Sequence, residues 1–393
     1  MSKSTIRDII YILIFLAVLI LGIRFIVWIF PVLILLILGY YIYRSIKINR
    51  TIRNMHNTTN NKNKDKKFLQ YALGGHIYVP AIRKDMIYKC LKGKIKGLTS
   101  FTICLEDAIG INGEGESIEN LAQVLKEVQL RRDKKDIPLI FIRPRNLEQM
   151  LKFKDILEEN KDIITGIVIP KANGEKIDSF IEGLEKINCL KLYIMPIIES
   201  IEFIDYTLKD KYLKDLKRAV LEHRDKILNI RVGVTDILGS YGIRRDKSLT
   251  IYDNIVFKNL TFDLMSILKN DEIDIPISGG VSEVYDMNKE DILNTFIKEV
   301  KIDKLNGFIG KTVIHPFQMN VVQAMNVISY EDYMDAKSIL DGVGSKYSIS
   351  GSINCERMNE VNPHTKWAKK IMLLSDIYGV FNKGISFNEL FRF

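Results

Sequence analysis

Eight short apolar runs, each followed by a longer amphipathic stretch, recur along the chain: HIYVP (76–80), FTICLE (101–106), LIFIRP (139–144), GIVIPK (166–171), LYIMPIIE (192–199), IRVGVTD (230–236), IPIS (275–278) and FIGKTVI (308–314). Strands buried on both faces read as continuous apolar runs, and helices between them mark βα units around a parallel sheet. Helices are predicted over 118–130, 147–159, 176–187 and 201–213. Eight strands in about 240 residues match the count and length of a (β/α)8 TIM barrel, an α/β fold expected here over residues 71–325. A doubly wound open sheet is the alternative, but it calls for a Gly-rich phosphate loop after an early strand, and no such loop is present. GFIGKT (307–312) lacks the first glycine of a P-loop, that position being Leu305, and reads as a strand ending in a small-residue turn. GINGEG (110–115) reads as a loop. Residues 326–393 fall outside the barrel; helices predicted over 330–340 and 365–378, separated by a Gly/Ser/Asn-rich stretch (341–354), make a C-terminal helical appendage.

The N-terminus is a different material. Residues 9–43 are almost wholly apolar, interrupted by Arg24, and a bilayer core needs only about 20 helical residues. Either 8–23 and 25–43 form a helical hairpin, or only 25–43 spans and the earlier stretch lies in the interface. Lys3 and Arg7 precede the block, and Arg44, Lys47, Arg50 and Arg53 follow it, so the positive-inside rule puts both flanks in the cytoplasm and favours the hairpin. A cleaved signal peptide is disfavoured by the length of the run and the lack of a small-residue cleavage site. The expected organisation is a membrane segment (1–50), a basic Asn/Lys-rich linker (51–70), the barrel and the appendage, with the body facing the cytoplasm.

The +9 net charge sits in this N-terminal part: residues 1–67 hold eleven Lys and Arg against Asp8 and Asp65, and the remaining residues are neutral. The body therefore has no excess positive charge to offer phosphates, which argues against nucleic acid as a partner. Four well-separated cysteines (Cys90, Cys104, Cys189, Cys355) show no metal spacing and read as reduced thiols.

Ionisable residues interrupt the apolar runs at one end. Glu106 and Asp107 end the second strand, Arg143 the third, Lys171 the fourth, Glu199 the fifth and Asp236 the sixth. In a parallel barrel these positions share the C-terminal rim, where active sites of this architecture lie. A lone strand-end carboxylate is usually a helix cap or a surface group, but five consecutive strands each delivering charge to one rim is not explained by solvation. Glu199 and Asp236 are hard oxygen ligands suited to Mg²⁺, which binds through few carboxylates plus water and substrate oxygens. Arg143 offers a planar fork for a carboxylate or carbonyl oxygen, and Glu106 and Asp107 can fix it or hold metal-bound water. A Lewis acid so placed suits making or breaking a carbon–carbon bond. Lys171 admits a rival reading, a Schiff-base aldolase; a catalytically idle, membrane-tethered scaffold is a third.

HIYVPA (76–81), CLEDAI (104–109), FIRPRN (141–146), GIVIPKAN (166–173), MPIIES (195–200), RVGVTDILG (231–239) and GFIGKTVIHPFQ (307–318) together resemble the citrate lyase β-subunit / HpcH-HpaI aldolase family. The resemblance implies a (β/α)8 barrel that cleaves or forms C–C bonds with Mg²⁺ in small hydroxy or oxo acids or their CoA thioesters. It makes Glu199 and Asp236 the metal ligands, Arg143 the substrate-binding arginine, Glu106 and Asp107 the acidic pair beside the metal, and Gly310, Lys311, His315 and Pro316 a structural closing turn. GIRR (242–245), TIYD (250–253) and RMNEVNPHTKWAKKI (357–371) resemble the branch associated with tellurium-resistance and stress-response gene clusters. In the thioester lyases an Asp from the appendage of an adjacent subunit is acid or base, which implies a homo-oligomer. Here the corresponding stretch carries Asn359 and Glu360 with His364 nearby, so Glu360 or His364 is the candidate proton carrier.

Overall fold

All eight apolar runs become staves of one parallel barrel. The computed structural model describes residues 3–59, 65–107, 109–130, 137–270, 272–346 and 348–391. Residues 1–52 form one compact unit and 53–393 another. In the second, β1 (Gly75–Pro80), β2 (Ser100–Cys104), β3 (Leu139–Arg143), β4 (Ile164–Ile169), β5 (Tyr193–Ile198), β6 (Arg231–Val232) and β7 (Lys311–Val313) lie side by side in the order β6-β5-β4-β3-β2-β1-β7. The run at 275–278 closes the ring. Ile277 bridges Ile230 beside β6, Gly279 bridges Lys311 of β7, and Ser278 N–H donates to the Ile230 carbonyl at 2.9 Å.

Alternation along the staves sorts the side chains. Inward-facing Leu139, Phe141, Val168, Met195 and Ile197 pack with Leu69 and Leu73. Leu69 lies on the short helix Lys66–Ala72, which is capped by Asp65 and leads into β1, so it plugs the N-terminal mouth of the barrel. Outward-facing residues join the helices in a larger surrounding core. On the β1–β2 side the interior is polar. His76 bridges the Ser100 and Thr102 hydroxyls at 2.7 and 2.6 Å, and burial, reinforced by Arg231, holds its pKa well below the ordinary imidazole value. Arg231 donates to Thr312 Oγ1 at 2.6 Å.

Several sequence-based boundaries move. The sixth strand is only two residues long, because the chain turns at Gly233 into the helix Val234–Ser240; Asp236 therefore sits in a helical first turn rather than on a strand. The small-residue turn in GFIGKT precedes its strand instead of ending it, with Gly310 at φ +74° and so close to the Gly74 carbonyl that a side chain has no room. GINGEG is a 3-10 turn (Ile111–Gly113) that runs into the helix Glu114–Gln129. The 341–354 stretch contributes a strand, Ile349–Gly351, paired antiparallel with Met358–Glu360.

GIRR, TIYD and GKT converge on one buried ionic network behind β7. The Lys311 ammonium lies 2.9 Å from both Glu299 and Asp303 and donates to the Gly280 carbonyl at 2.8 Å. Arg245 pairs with Glu299, Glu299 also accepts the Ile251 N–H at 3.0 Å, and the Tyr252 hydroxyl donates to Asp303. Burial pushes Asp303 up to about 6 although Lys311 opposes it. These motifs are structural: they tie the segment after the Asp236 helix to the helix Glu290–Leu305.

The appendage is the helix pair Tyr330–Asp341 and Val361–Tyr378, the second starting four residues before its predicted position. The pair packs under the barrel on the plug helix, where the Tyr378 hydroxyl donates to the Tyr71 carbonyl at 2.8 Å.

The expected hairpin is not formed. Lys3–Thr59 is one continuous helix of 57 residues, with Pro31 inside it. No turn residue flanks Arg24 on both sides, and a proline within a helix removes only one hydrogen bond. Its apolar part, Ile10–Tyr43, is long and apolar enough to cross a membrane; at 34 residues it measures about 51 Å, beyond a hydrocarbon core of about 30 Å. Residues 51–59 of the expected linker are helical, and 60–64, with Lys62 and Lys64, lie outside the described residues.

Candidate active site at the C-terminal rim

The rim assembles from consecutive staves. The 104–107 segment leaves β2 with Glu106 buried and Asp107 exposed, and Arg143 closes β3. The Arg143 Nη2 atom lies 2.7 Å from Glu106 Oε2 and 3.4 Å from Asp107 Oδ2, while its Nε donates to Cys104 Sγ at 3.3 Å. The guanidinium also lies over the Tyr78 ring, 5.1 Å from its centroid, and Arg231 lies against the same ring at 5.6 Å. Tyr78 is thus held between two cations, fixing the fork of Arg143 from below. Burial disfavours the Arg143 charge, but Cys104, Glu106 and Tyr78 outweigh it and raise its pKa above the ordinary arginine value.

Lys171 follows β4 in the left-handed region, φ +48°, a conformation uncommon for a lysine and a mark of a constrained position. Its ammonium is 3.6 Å from Glu106 Oε1 and 3.9 Å from Asp107 Oδ1, and its backbone N–H donates to Glu199 Oε1 at 2.8 Å. Partial burial lowers its pKa, yet Glu106, Asp107, Asp236 and Glu199 reverse that and leave it raised. A Schiff-base lysine needs the opposite shift, so this geometry does not favour the Lys171 aldolase reading.

Glu199 is buried just beyond β5. Burial, with Asp236 nearby, pushes its carboxyl up to about 7, the Lys171 N–H only partly compensating. Asp236 is raised by burial and then by Asp107, and Glu106 by burial despite Arg143. Burial, and then their mutual repulsion, raise these carboxyls in spite of Arg143 and Lys171, and a divalent cation would relieve that strain. The donor chemistry fits Mg²⁺: hard oxygens from two or three carboxylates, with coordination left for water and substrate. No three rim carboxylates bring ligand atoms within 4.8 Å of one another; among the described residues the set that does is Asp178, Glu222 and His223, and Arg218 already pairs with both of its carboxylates.

Gly233 makes the Glu199 position possible. A Cβ there would fall on the Glu199 side chain, so Gly233→Ala should displace the carboxylate and weaken Mg²⁺ binding by about 10–100-fold, measured by titration calorimetry, with little change in circular dichroism.

Glu106, Asp107, Arg143, Lys171, Glu199 and Asp236 are therefore brought together. Glu360 and His364 are not. They begin the helix Val361–Tyr378, with the Glu360 N–H donating to His364 Nδ1 at 3.0 Å, and the far end of that helix lies under the barrel. Sequence reasoning passed over Tyr78, Cys104 and Gly233. The first two sit at inward positions of HIYVPA and CLEDAI, and strand alternation alone points them at the rim cluster.

A family model described as the C–C bond lyase of the TIM-barrel fold matches residues 67–380. The chain belongs to this family. The match takes in the whole rim cluster, and it places the chain among carbon–carbon lyases. Protein CitE from Mycobacterium tuberculosis, solved with magnesium, acetoacetate and coenzyme A, is 15% identical with a TM-score of 0.54, covering 77% of this chain and 97% of that one. RipC from Yersinia pestis is 16% identical with a TM-score of 0.44, covering 64% and 93%. Haloferax volcanii malate synthase with magnesium and glyoxylate is 14% identical with a TM-score of 0.48, covering 62% and 72%. At these identities the CitE likeness speaks for the barrel itself. No curated protein matches the chain significantly.

Proposed function

We propose that the protein is a membrane-anchored, Mg²⁺-dependent lyase of this family that breaks or forms a C–C bond in a small oxo or hydroxy acid or its thioester. The observation that carries the reading is the rim: three carboxyls with raised pKa values, Glu106, Glu199 and Asp236, beside one arginine fork and one lysine. Glu199 and Asp236 would hold the ion, with Glu106 and Asp107 behind it. When bound, Mg²⁺ would supply Lewis-acid stabilisation of negative charge developing on the substrate oxygen. Arg143, pinned by Glu106 and stacked on Tyr78, binds a carboxylate or carbonyl oxygen in a fixed plane. Lys171, kept charged, adds a second positive contact for the substrate. Glu360 or His364 would carry a proton at the rim of a second copy, since neither joins the rim cluster of its own chain.

The apolar helix supports anchoring: its described side chains between Ile10 and Tyr43 are exposed, far more apolar surface than a soluble monomer leaves uncovered. The basic residues after it favour a cytoplasmic body. Full-length protein should stay in the membrane pellet after alkaline carbonate extraction, and a chain lacking residues 1–52 should not.

Activity is tested by supplying candidate 3-hydroxy acids and thioesters with Mg²⁺ and scoring released oxo acid or acetyl product; a full panel without turnover, in protein that binds Mg²⁺, removes the lyase reading. Ion binding has its own pH signature. Without Mg²⁺ the Glu199 carboxyl titrates near 7, above its ordinary value of 4.5, so the fold holds that proton more tightly than the unfolded chain does. This contribution to stability is therefore present below 4.5 and lost as pH rises to about 7. Mg²⁺ should restore the stability at high pH, release protons near pH 7, and bind progressively more weakly below it. Calorimetry in buffers of different ionisation enthalpy reads the proton release.

A further inference from the structure

A lysine-lined cleft lies at the opposite end of the barrel from the rim. Between the helix Glu290–Leu305 and the C-terminal helix pair runs a cleft of about 800 Å³, within the range of small-ligand sites. Its lining carries Lys301, Lys304, Lys370, Lys383 and Arg357 against only Glu331 and Asp332. Both acids already have partners within the lining: Asp332 pairs with Arg357 at 3.1 Å, and Glu331 accepts from Asn354 at 2.6 Å. None of the four lysines forms an ion pair with a described carboxylate; Lys304 donates only to the Met325 carbonyl, and Lys301 lies 5.5 Å from the Phe387 ring centroid. Surrounding protein lowers the Lys304 ammonium, Asp332 opposing and Lys370 adding to the effect, and burial, with Lys269, lowers Lys370 against the opposition of Asp274.

This concentration of charge is local, since the body as a whole is neutral. Of the four, Lys370 acts on Lys304 directly, and an anion between them would relieve that repulsion. The walls are aromatic as well, with Tyr330 and a half-buried Trp367 facing the same space. Lysines grip phosphate as point charges and aromatic faces stack planar rings. The volume far exceeds that of a lone phosphate. We infer that this cleft beneath the barrel binds a nucleoside phosphate, its phosphates held by Lys301, Lys304, Lys370 and Lys383 and its base against Trp367. Such a ligand sits outside the rim chemistry, so the inference goes beyond the proposed reaction.

The chain has two tryptophans, and Trp28 lies in the apolar N-terminal helix, so Trp28→Phe leaves Trp367 as the sole reporter. Full-length Trp28→Phe protein in detergent is titrated with ADP, inorganic diphosphate or vesicles containing phosphatidylglycerol. Saturable quenching by ADP, at least tenfold tighter than by diphosphate, is expected. Lys301→Glu with Lys383→Glu, both exposed and tolerable to the fold, should weaken it at least tenfold; Lys370→Gln should also weaken it. Equal response to diphosphate, response to vesicles alone, an unchanged double variant, or loss of quenching in Glu199→Gln would each overturn the assignment.

Discussion

Arg143→Ala should reduce kcat/KM by at least about 10²–10³-fold, the usual consequence of removing a preorganised charged donor from a reacting centre. Arg143 contacts Glu106, Asp107, Cys104 and the Tyr78 face at once, so no neighbour can replace its fork. The alanine variant also leaves buried Glu106 without its closest cation, so some loss of stability accompanies the loss of activity. Arg143→Lys separates the two effects: it restores charge but not the planar pair of donors. The expected result is a melting temperature near that of the parent with activity still depressed. An active Arg143→Ala enzyme would remove the substrate assignment.

Lys311→Met should be the most destabilising single change in the barrel, by about 3–5 kcal/mol. It strands Glu299 and Asp303, both nearly inaccessible to solvent, beside each other with Arg245, the Ile251 N–H and Tyr252 as their remaining partners. Burial works against the Lys311 charge, and Asp303 and Glu299 reverse that, so the ammonium is held by these two carboxylates. Lys311→Met combined with Asp303→Asn removes opposite charges together and should melt well above the single variant. Thermal unfolding of the two variants against the parent checks the order. The reverse order would show that the network is not electrostatically coupled. Because Arg245 ties the Asp236 segment to this network, the single variant should weaken Mg²⁺ binding as well.

The rim was legible because a parallel barrel converts strand-end position into spatial position. Glu106, Arg143, Lys171 and Glu199 each end an apolar run, and parallel pairing of β2 through β5 leaves them no other place to go, even across the register shift between β3 and β4. Asp236 reaches the rim by another route than the sequence suggested: RVGVTD alternates like a strand, but the chain turns into a helix after Gly233, whose missing side chain leaves room for Glu199. The hairpin failed for want of a turn. Charge flanks indicate which side of a bilayer a segment prefers, but only a local break can reverse a helix, and neither Arg24 nor Pro31 supplies one. Glu360 and His364 lay beyond reach of pattern, because periodicity says that a helix forms and not which end of a barrel it covers.

The amino-acid sequence by itself therefore determined the eight-stave alternation, the charged C-terminal edge, the neutral body with a basic apolar leader, and the helical C-terminus. These are local properties, written in side-chain order along single elements. The tertiary structure alone decided that Tyr78 stands between two guanidinium groups, that three scattered motifs share one buried ion network, and that unpaired lysines from separate helices line one cleft. Each depends on contacts between segments far apart in the chain, and such contacts are set by how the closed barrel and its helices pack.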